Sequence, residues 1–467
     1  MTAESNARNE GGPAGLAGRM PDAPRGRDRL KWMGPGIIWM TSAIATGELI
    51  FTPRIASLYG YAVLWILVLA IALKALIARE IGRYAVVAGG SLLGGLQDLP
   101  GPRNWAVWVL IVPQLLVAVT TVVGMVGATS SAIILLLPGG FVPWAMVALV
   151  SSLVLVAVGR YRGVELISII MSLSITIALV VTAGLLFPAP AVIAEGLVPS
   201  VEGLDLGEIL PWIGFMMSGA AGLVWFSYWL SARGFGAASG EQRSEEAPPG
   251  GGYRERYQAL DAGEVSRARS WIRLMTAATA ISSVLILVLL VSLLILGAEL
   301  LRPEGLIPEG DAVTDVLSRL LGEVWGPVGM WTMILAAFIA FWSSVITNLD
   351  GWSRMFTEGL SLMFRQLVPA SSGISPRALR FGLLFGLLGV LPAVAIIVRP
   401  EPVEFLILAG SIEAVQIPFV AAATLYLNVR RLPPGVRPSK ATIGAMAISI
   451  SFFVFFAFYY LFDTIIA

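Results

Sequence analysis

Runs of about 20 apolar residues recur along the chain between short polar stretches, and each is long enough to cross a bilayer as one helix. They fall at residues 34–57, 61–83, 105–136, 142–158, 164–187, 208–232, 272–298, 327–350, 381–398, 403–428 and 441–463. The pattern predicts an all-α polytopic membrane protein of about eleven transmembrane helices. The run at 105–136 exceeds one perpendicular crossing and predicts a tilted or extended helix. Between the runs the pattern changes. Residues 1–32 lack periodicity and are rich in Gly, Pro, Ala and Arg, which predicts a disordered tail. Residues 233–270 are a polar insert, with a Gly- and Pro-rich linker at 240–253 and a short charged helix at 254–270. Residues 311–324 put Val313, Val316, Leu317, Leu320 and Leu321 on one face of an amphipathic surface helix.

Composition narrows the function. The 467 residues are 57% hydrophobic and 13% charged, with a mean hydropathy of +0.82. That excludes a disordered chain and an ordinary soluble enzyme. There is no Cys and no His. Disulfides, zinc fingers, thiol catalysis and the commonest proton shuttle are therefore excluded. No phosphate-binding loop is present, and the basic residues follow the loops rather than one face, so neither a conventional enzyme nor a nucleic-acid binder is expected. No cofactor is expected. Chemistry falls to carboxylates, amides, hydroxyls, backbone carbonyls and aromatic faces.

The net charge of +1 hides a sorting by side. With the N-terminus cytoplasmic, the inner segments hold about 26 Lys and Arg and the outer ones about four. The inner set includes Arg25, Arg83, Arg160, Arg162, Arg267, Arg430 and Arg431. The expected location is the plasma or inner membrane, with the N-terminus cytoplasmic and the C-terminus outside. The outer loops at 188–207 and 299–326 carry acidic residues, which attract cations mildly or are simply solvated. The oligomeric state leaves no mark in the sequence.

Two spans are interrupted. The first contains Ala45-Thr46-Gly47-Glu48 at its centre, and the sixth contains Ser218-Gly219-Ala220-Ala221-Gly222. These spans are equivalent members of two five-helix halves, at 33–187 and 208–428, with 441–467 as an extra helix. Interrupted helices at matching places in two halves point to a transporter site, where half-helix ends and free carbonyls hold ions. Close helix packing through small residues is the competing explanation. Other polar residues lie at membrane depth. Glu413 and Gln416 share a face of the tenth span, and Ser344, Thr347 and Asn348 share a face of the eighth. Lys74 lies in the second span, where it either neutralises a carboxylate or snorkels.

Four stretches are familiar in order. They are Gly34-Pro35-Gly36 through Tyr59-Gly60-Tyr61 and Leu64-Trp65; Tyr161-Arg162-Gly163-Val164-Glu165; Ser343 through Phe356-Thr357-Glu358-Gly359; and Gln416-Ile417-Pro418-Phe419. Together they resemble the NRAMP divalent metal transporter family. The resemblance implies a LeuT-type fold of two inverted five-helix repeats with broken helices 1 and 6, and proton-coupled uptake of a divalent metal. The chain departs from that family at the expected metal site. Ala45-Thr46-Gly47-Glu48 stands where the family has Asp-Pro-Gly-Asn, and the sixth-span Met-Pro-His is replaced by Val224-Trp225-Phe226. The tenth-span amide falls near Gly410, one turn before Glu413.

The candidate substrate site therefore comprises Ala45, Thr46, Gly47, Glu48, Gly222, Val224, Trp225 and Glu413. Glu48, Glu413, Gln416, Ser344, Thr347 and Asn348 are the candidate coupling or pathway residues. Glu48 is the one candidate metal ligand. An oxygen-only site suits a magnesium- or manganese-like ion as substrate. Aromatic faces near a buried Glu suit a small organic solute or organic cation instead. A sensor without transport is the third reading. Without His, coupling protons would fall to a carboxylate. If Glu48 carries one, Glu48→Gln flattens the pH dependence of uptake in proteoliposomes; an unchanged profile removes Glu48 from that role.

Overall fold

The computed structural model describes residues 20–32, 47–159, 162–239, 260–364 and 375–466. In lipid a backbone must satisfy its own hydrogen bonds, so apolar runs become helices. In chain order these are α1 (Leu49–Tyr59), α2 (Leu64–Ala88), α3 (Trp105–Leu136), α4 (Phe141–Val158) and α5 (Arg162–Leu185). The sixth span is two pieces, α6 (Leu206–Phe215) and α7 (Ala220–Ala232). Then come α8 (Ala262–Leu296), α9 (Val313–Phe364), α10 (Pro376–Val398), α11 (Pro402–Arg430) and α12 (Lys440–Ile466). Among the described residues there is no strand.

Nine of the described helical runs are long and apolar enough to cross a membrane, ten when the bent pair Ile170–Leu185 and Pro190–Gly196 is counted. The first span is described only from Gly47 onward, and its 11-residue helix α1 is counted there with α2. Gly60, at φ 58 and ψ −132, separates the two. This accounts for the difference from eleven. The extended third span is one helix of 32 residues, or roughly 48 Å at 1.5 Å per residue.

The amphipathic segment and the eighth span share α9, broken at Gly326 (φ 61, ψ −149) just before Pro327. Val313, Leu317, Leu320 and Leu321 are buried, so the predicted apolar face packs inward. The helix continues to Phe364, well past the predicted end at 350. Asp350 is held by Arg380 and Arg354, so its charge does not have to mark the helix end.

Residues 20–32 depart from the predicted disordered tail. Met20 is buried, the Pro21 carbonyl accepts a hydrogen bond from Trp271 Nε1 at 2.9 Å, and the Trp32 ring lies 4.8 Å from Trp271 and 5.3 Å from Phe235. A Met and a Trp supply enough apolar area to pin a segment whose composition alone reads as disordered.

The outward faces of α4, α5 and α10 leave Val150, Ile177 and Val394 more than half exposed, as a lipid-facing surface requires. Inside, α6 and α11 meet backbone to backbone. A Cβ on Gly214 would lie 1.9 Å from the Gly410 carbonyl oxygen, and one on Gly410 would lie 2.6 Å from the Pro211 oxygen. Small residues let helices approach this closely in lipid. Gly214→Ala should therefore separate these helices and cost about 1–3 kcal/mol. A lower thermal midpoint in detergent would show it; an unchanged midpoint would mean the contact relaxes freely.

Candidate functional site

The break in the sixth span sets the chemistry. Between α6 and α7 the chain is not helical from Met216 to Gly219, and Met217 (φ 64) and Ser218 (φ 153) adopt backbone conformations that L-residues rarely occupy. The break frees carbonyls at the end of α6 and N–H groups at the start of α7, at a depth where water is scarce. Each such group must find a partner.

Three charged side chains supply the partners. Lys74 Nζ donates to the carbonyls of Gly214, Met216 and Ser218 at 2.9, 2.7 and 2.8 Å. An ammonium has three donors, and all three are used. Glu48 Oε1 accepts from the Met217 N–H at 2.8 Å. Glu413 Oε2 accepts from the Ala221 N–H at 3.2 Å, at the positive end of the α7 dipole. All three side chains are almost wholly buried. Lys74 therefore neither snorkels nor makes a direct ion pair among the described residues; its hydrogen bonds are with backbone. A Cβ on Gly219 would come 2.5 Å from the Glu413 carboxyl carbon, so a glycine there admits the carboxylate.

Beside this break is a small cavity of about 30 Å³. Its polar lining comes from Ser218, Thr347, Asn348 and Glu413, and its aromatic lining from Phe215, Trp225, Trp229 and Trp352. Trp225 and Trp352 meet edge to face, with centroids 5.1 Å apart. Gly351 lets them approach: a Cβ there would lie 2.8 Å from the Trp225 ring. Glu48 Oε2 and Trp225 Nε1, both buried at the site, have no hydrogen-bond partner among the described residues. No group of three or more His, Cys, Asp or Glu able to hold a metal ion occurs among the described residues.

The predicted site residues distribute unevenly. Glu413, Thr347, Asn348, Gly222 and Trp225 line the cavity. Gly47 packs on Phe215, where a Cβ would come within 2.7 Å of the Phe215 Cβ, and Glu48 caps the break. Val224 is buried in α7 away from the break, which lies earlier in the chain, at Met216–Gly219. Ser344 accepts from Asn348 Nδ2 at 3.1 Å and so orients a cavity residue. Gln416 is committed to α3: it accepts from Gln114 Nε2 at 2.7 Å and donates to the Val109 and Leu110 carbonyls. Ala45 and Thr46 lie outside the described residues. Sequence reasoning missed Phe215, Ser218 and Trp352 as lining residues. Lys74 carried a visible signal, an ion at mid-span, but no signal for its partners.

Both ends of the bundle are tied. At the end reached by α1, Arg54 is 5% exposed and holds Glu208 at 3.1 Å and Glu309 at 2.6 Å. At the other end, Glu80 binds Arg83 at 2.9 Å and accepts from Asn428 Nδ2 at 3.1 Å, linking α2 to α11.

The profile of the Nramp family, described as natural resistance-associated macrophage protein-like, matches residues 36–463. No individual curated protein matches the chain. Among solved structures, the Eremococcus coleocola manganese transporter in complex with an aromatic bis-isothiourea substituted compound is 15% identical, with a TM-score of 0.63 over 95% of this chain and 89% of that one. A point mutant of that transporter gives 14% and 0.64 over 96% and 90%. Mhp1, a nucleobase-cation-symport-1 family transporter in a closed conformation with bromovinylhydantoin bound, gives 13% and 0.51 over 92% of each chain. At these identities the likeness is one of fold, the LeuT-type arrangement.

If Glu48 holds the break through its acceptor oxygen, Glu48→Gln should keep the thermal midpoint near wild type, because an amide oxygen still accepts. Glu48→Ala leaves a buried N–H unpaired and should cost about 1–3 kcal/mol. Equal midpoints for the two variants would refute the capping role.

Proposed function

The chain belongs to the natural resistance-associated macrophage protein-like family, and from that premise we propose that this multi-pass membrane transporter carries a hard divalent cation, magnesium- or manganese-like, into the cell by alternating access. The observation that carries the reading is the pair of buried carboxylates, Glu48 and Glu413, set on one unwound stretch of the sixth span. Glu48 Oε2 is unpartnered among the described residues, and Thr347 and Asn348 add neutral oxygens beside Glu413. Oxygen donors without thiolate or imidazole favour hard ions. Two carboxylates are few for a fully dehydrated ion, so the cargo keeps part of its water. Lys74 cancels one of those negative charges, which favours weak binding and easy release. The manganese transport named for its structural relatives agrees with this ion class.

The rest of the reading follows from topology and the two ties. Residues 33–187 and 208–428 form the two repeats, and 441–467 the additional helix. The N-terminus is cytoplasmic and the C-terminus outside, in the plasma or inner membrane. The Arg54 ties then close the outer side, and the Glu80–Asn428 tie restrains the inner side. Alternating access requires these to open in turn.

One observation favours a small organic solute instead. The cavity is rich in tryptophan, and Trp225 Nε1 offers a donor that a metal ion cannot use.

Flux into proteoliposomes separates the two readings. Magnesium, manganese and calcium would be tested beside a panel of amino acids and organic cations. The cation reading expects saturable uptake of at least one divalent ion, lowered tenfold or more by Glu413→Gln. Uptake of an organic solute with no divalent flux would transfer the function to the second reading.

A further inference from the structure

The carbonyls that hold Lys74 form a site in their own right. Broken transporter helices use unwound carbonyls and half-helix C-termini to coordinate monovalent ions. Here the same kinds of group converge on a side chain. We infer that the carbonyl oxygens of Gly214, Met216 and Ser218 are a monovalent-cation site whose resident ion is the Lys74 ammonium, tethered through α2. The protein thus carries inside its fold a cation that such a break otherwise takes from solution.

Five observations converge. All three ammonium donors end on backbone oxygens, at 2.7–2.9 Å. The side chain is 0% exposed, so no water is available to replace those oxygens, and burying an ion this way is costly unless it is fully coordinated. The oxygens lie at the negative end of the α6 dipole. Glu48 and Glu413 spend an oxygen each on backbone N–H groups rather than on a direct ion pair with Lys74. The Phe453 ring, 5.9 Å from Nζ, covers the ammonium from α12. The inference does not depend on which cargo the transporter carries. It makes α2 and α6 move as one body, and it frees the resting fold from any need for sodium or potassium.

The test uses the purified full-length chain in detergent and reads thermal unfolding, not transport, so its failure is separate from failure of the cation-transport reading. Wild type, Lys74→Ala and Lys74→Met are titrated with ammonium, methylammonium, potassium or sodium chloride, with choline chloride matching ionic strength. The wild-type midpoint should not depend on the cation. Lys74→Ala should melt lower in choline and recover saturably with ammonium or methylammonium, whose hydrogen-bond donors or size match the vacated site. Lys74→Met fills the same channel without charge, so it should melt low and not recover. A Lys74→Ala midpoint equal to wild type in choline, or one that no small cation raises above the choline control, would overturn the inference. If Lys74→Ala is purified only when methylammonium is present throughout, the inference stands. If no cation yields folded protein, it falls.

Discussion

A helix interrupted at membrane depth leaves backbone groups that nothing in the bilayer can satisfy. Most of this site can be derived from that constraint. Met216–Gly219 cannot stay helical, so its carbonyls and N–H groups need partners of opposite polarity. Lys74 takes the carbonyls, while Glu48 and Glu413 take the N–H groups. The three ions come from α1, α2 and α11, so one local defect organises three other elements around it. The left-handed conformation of Met217 persists because those partners hold it from both sides.

The same arrangement explains why small residues cluster here. The carboxylate of Glu413 reaches α7 only because Gly219 has no side chain, and α6 reaches α11 only because Gly214 and Gly410 have none. Gly351 does the same for Trp225 against Trp352. Packing and chemistry are therefore not alternatives at these positions: the close approach is what brings a polar group to the break. The cavity opens on the α7–α9 side of it, where aromatic walls meet Thr347, Asn348 and Glu413.

For a member of a metal-transporting family, the charge inventory of the centre is unusual. Thiolate and imidazole ligands are absent because the chain has no Cys and no His, the carboxylates already serve the backbone, and a buried lysine sits at the break. A cation entering must share carboxylates that have structural duties. That favours partial hydration and rapid exchange over tight coordination.

The spans, their order and the interruption of the sixth were legible in the sequence, because hydrophobic runs and clustered small residues at mid-span are local signals. Glu48 and Glu413 were legible for the same reason: a carboxylate in an apolar run needs an explanation wherever it occurs. Their tasks were not. The sequence offered Lys74 a carboxylate partner or a route to the interface, and it placed the sixth-span contribution at Gly222, Val224 and Trp225. The structure places the break at Met216–Gly219, overlapping the Ser218–Gly222 interruption read from the sequence, and turns Lys74 onto carbonyls some 140 residues away in the chain. Gln416 looked like a pathway residue and is instead consumed by α3. Every backbone carbonyl is chemically alike in a sequence. Which of them lose their helical partners, and which buried ion then lies within 3 Å, depends on how distant helices pack, and only the tertiary structure decides it.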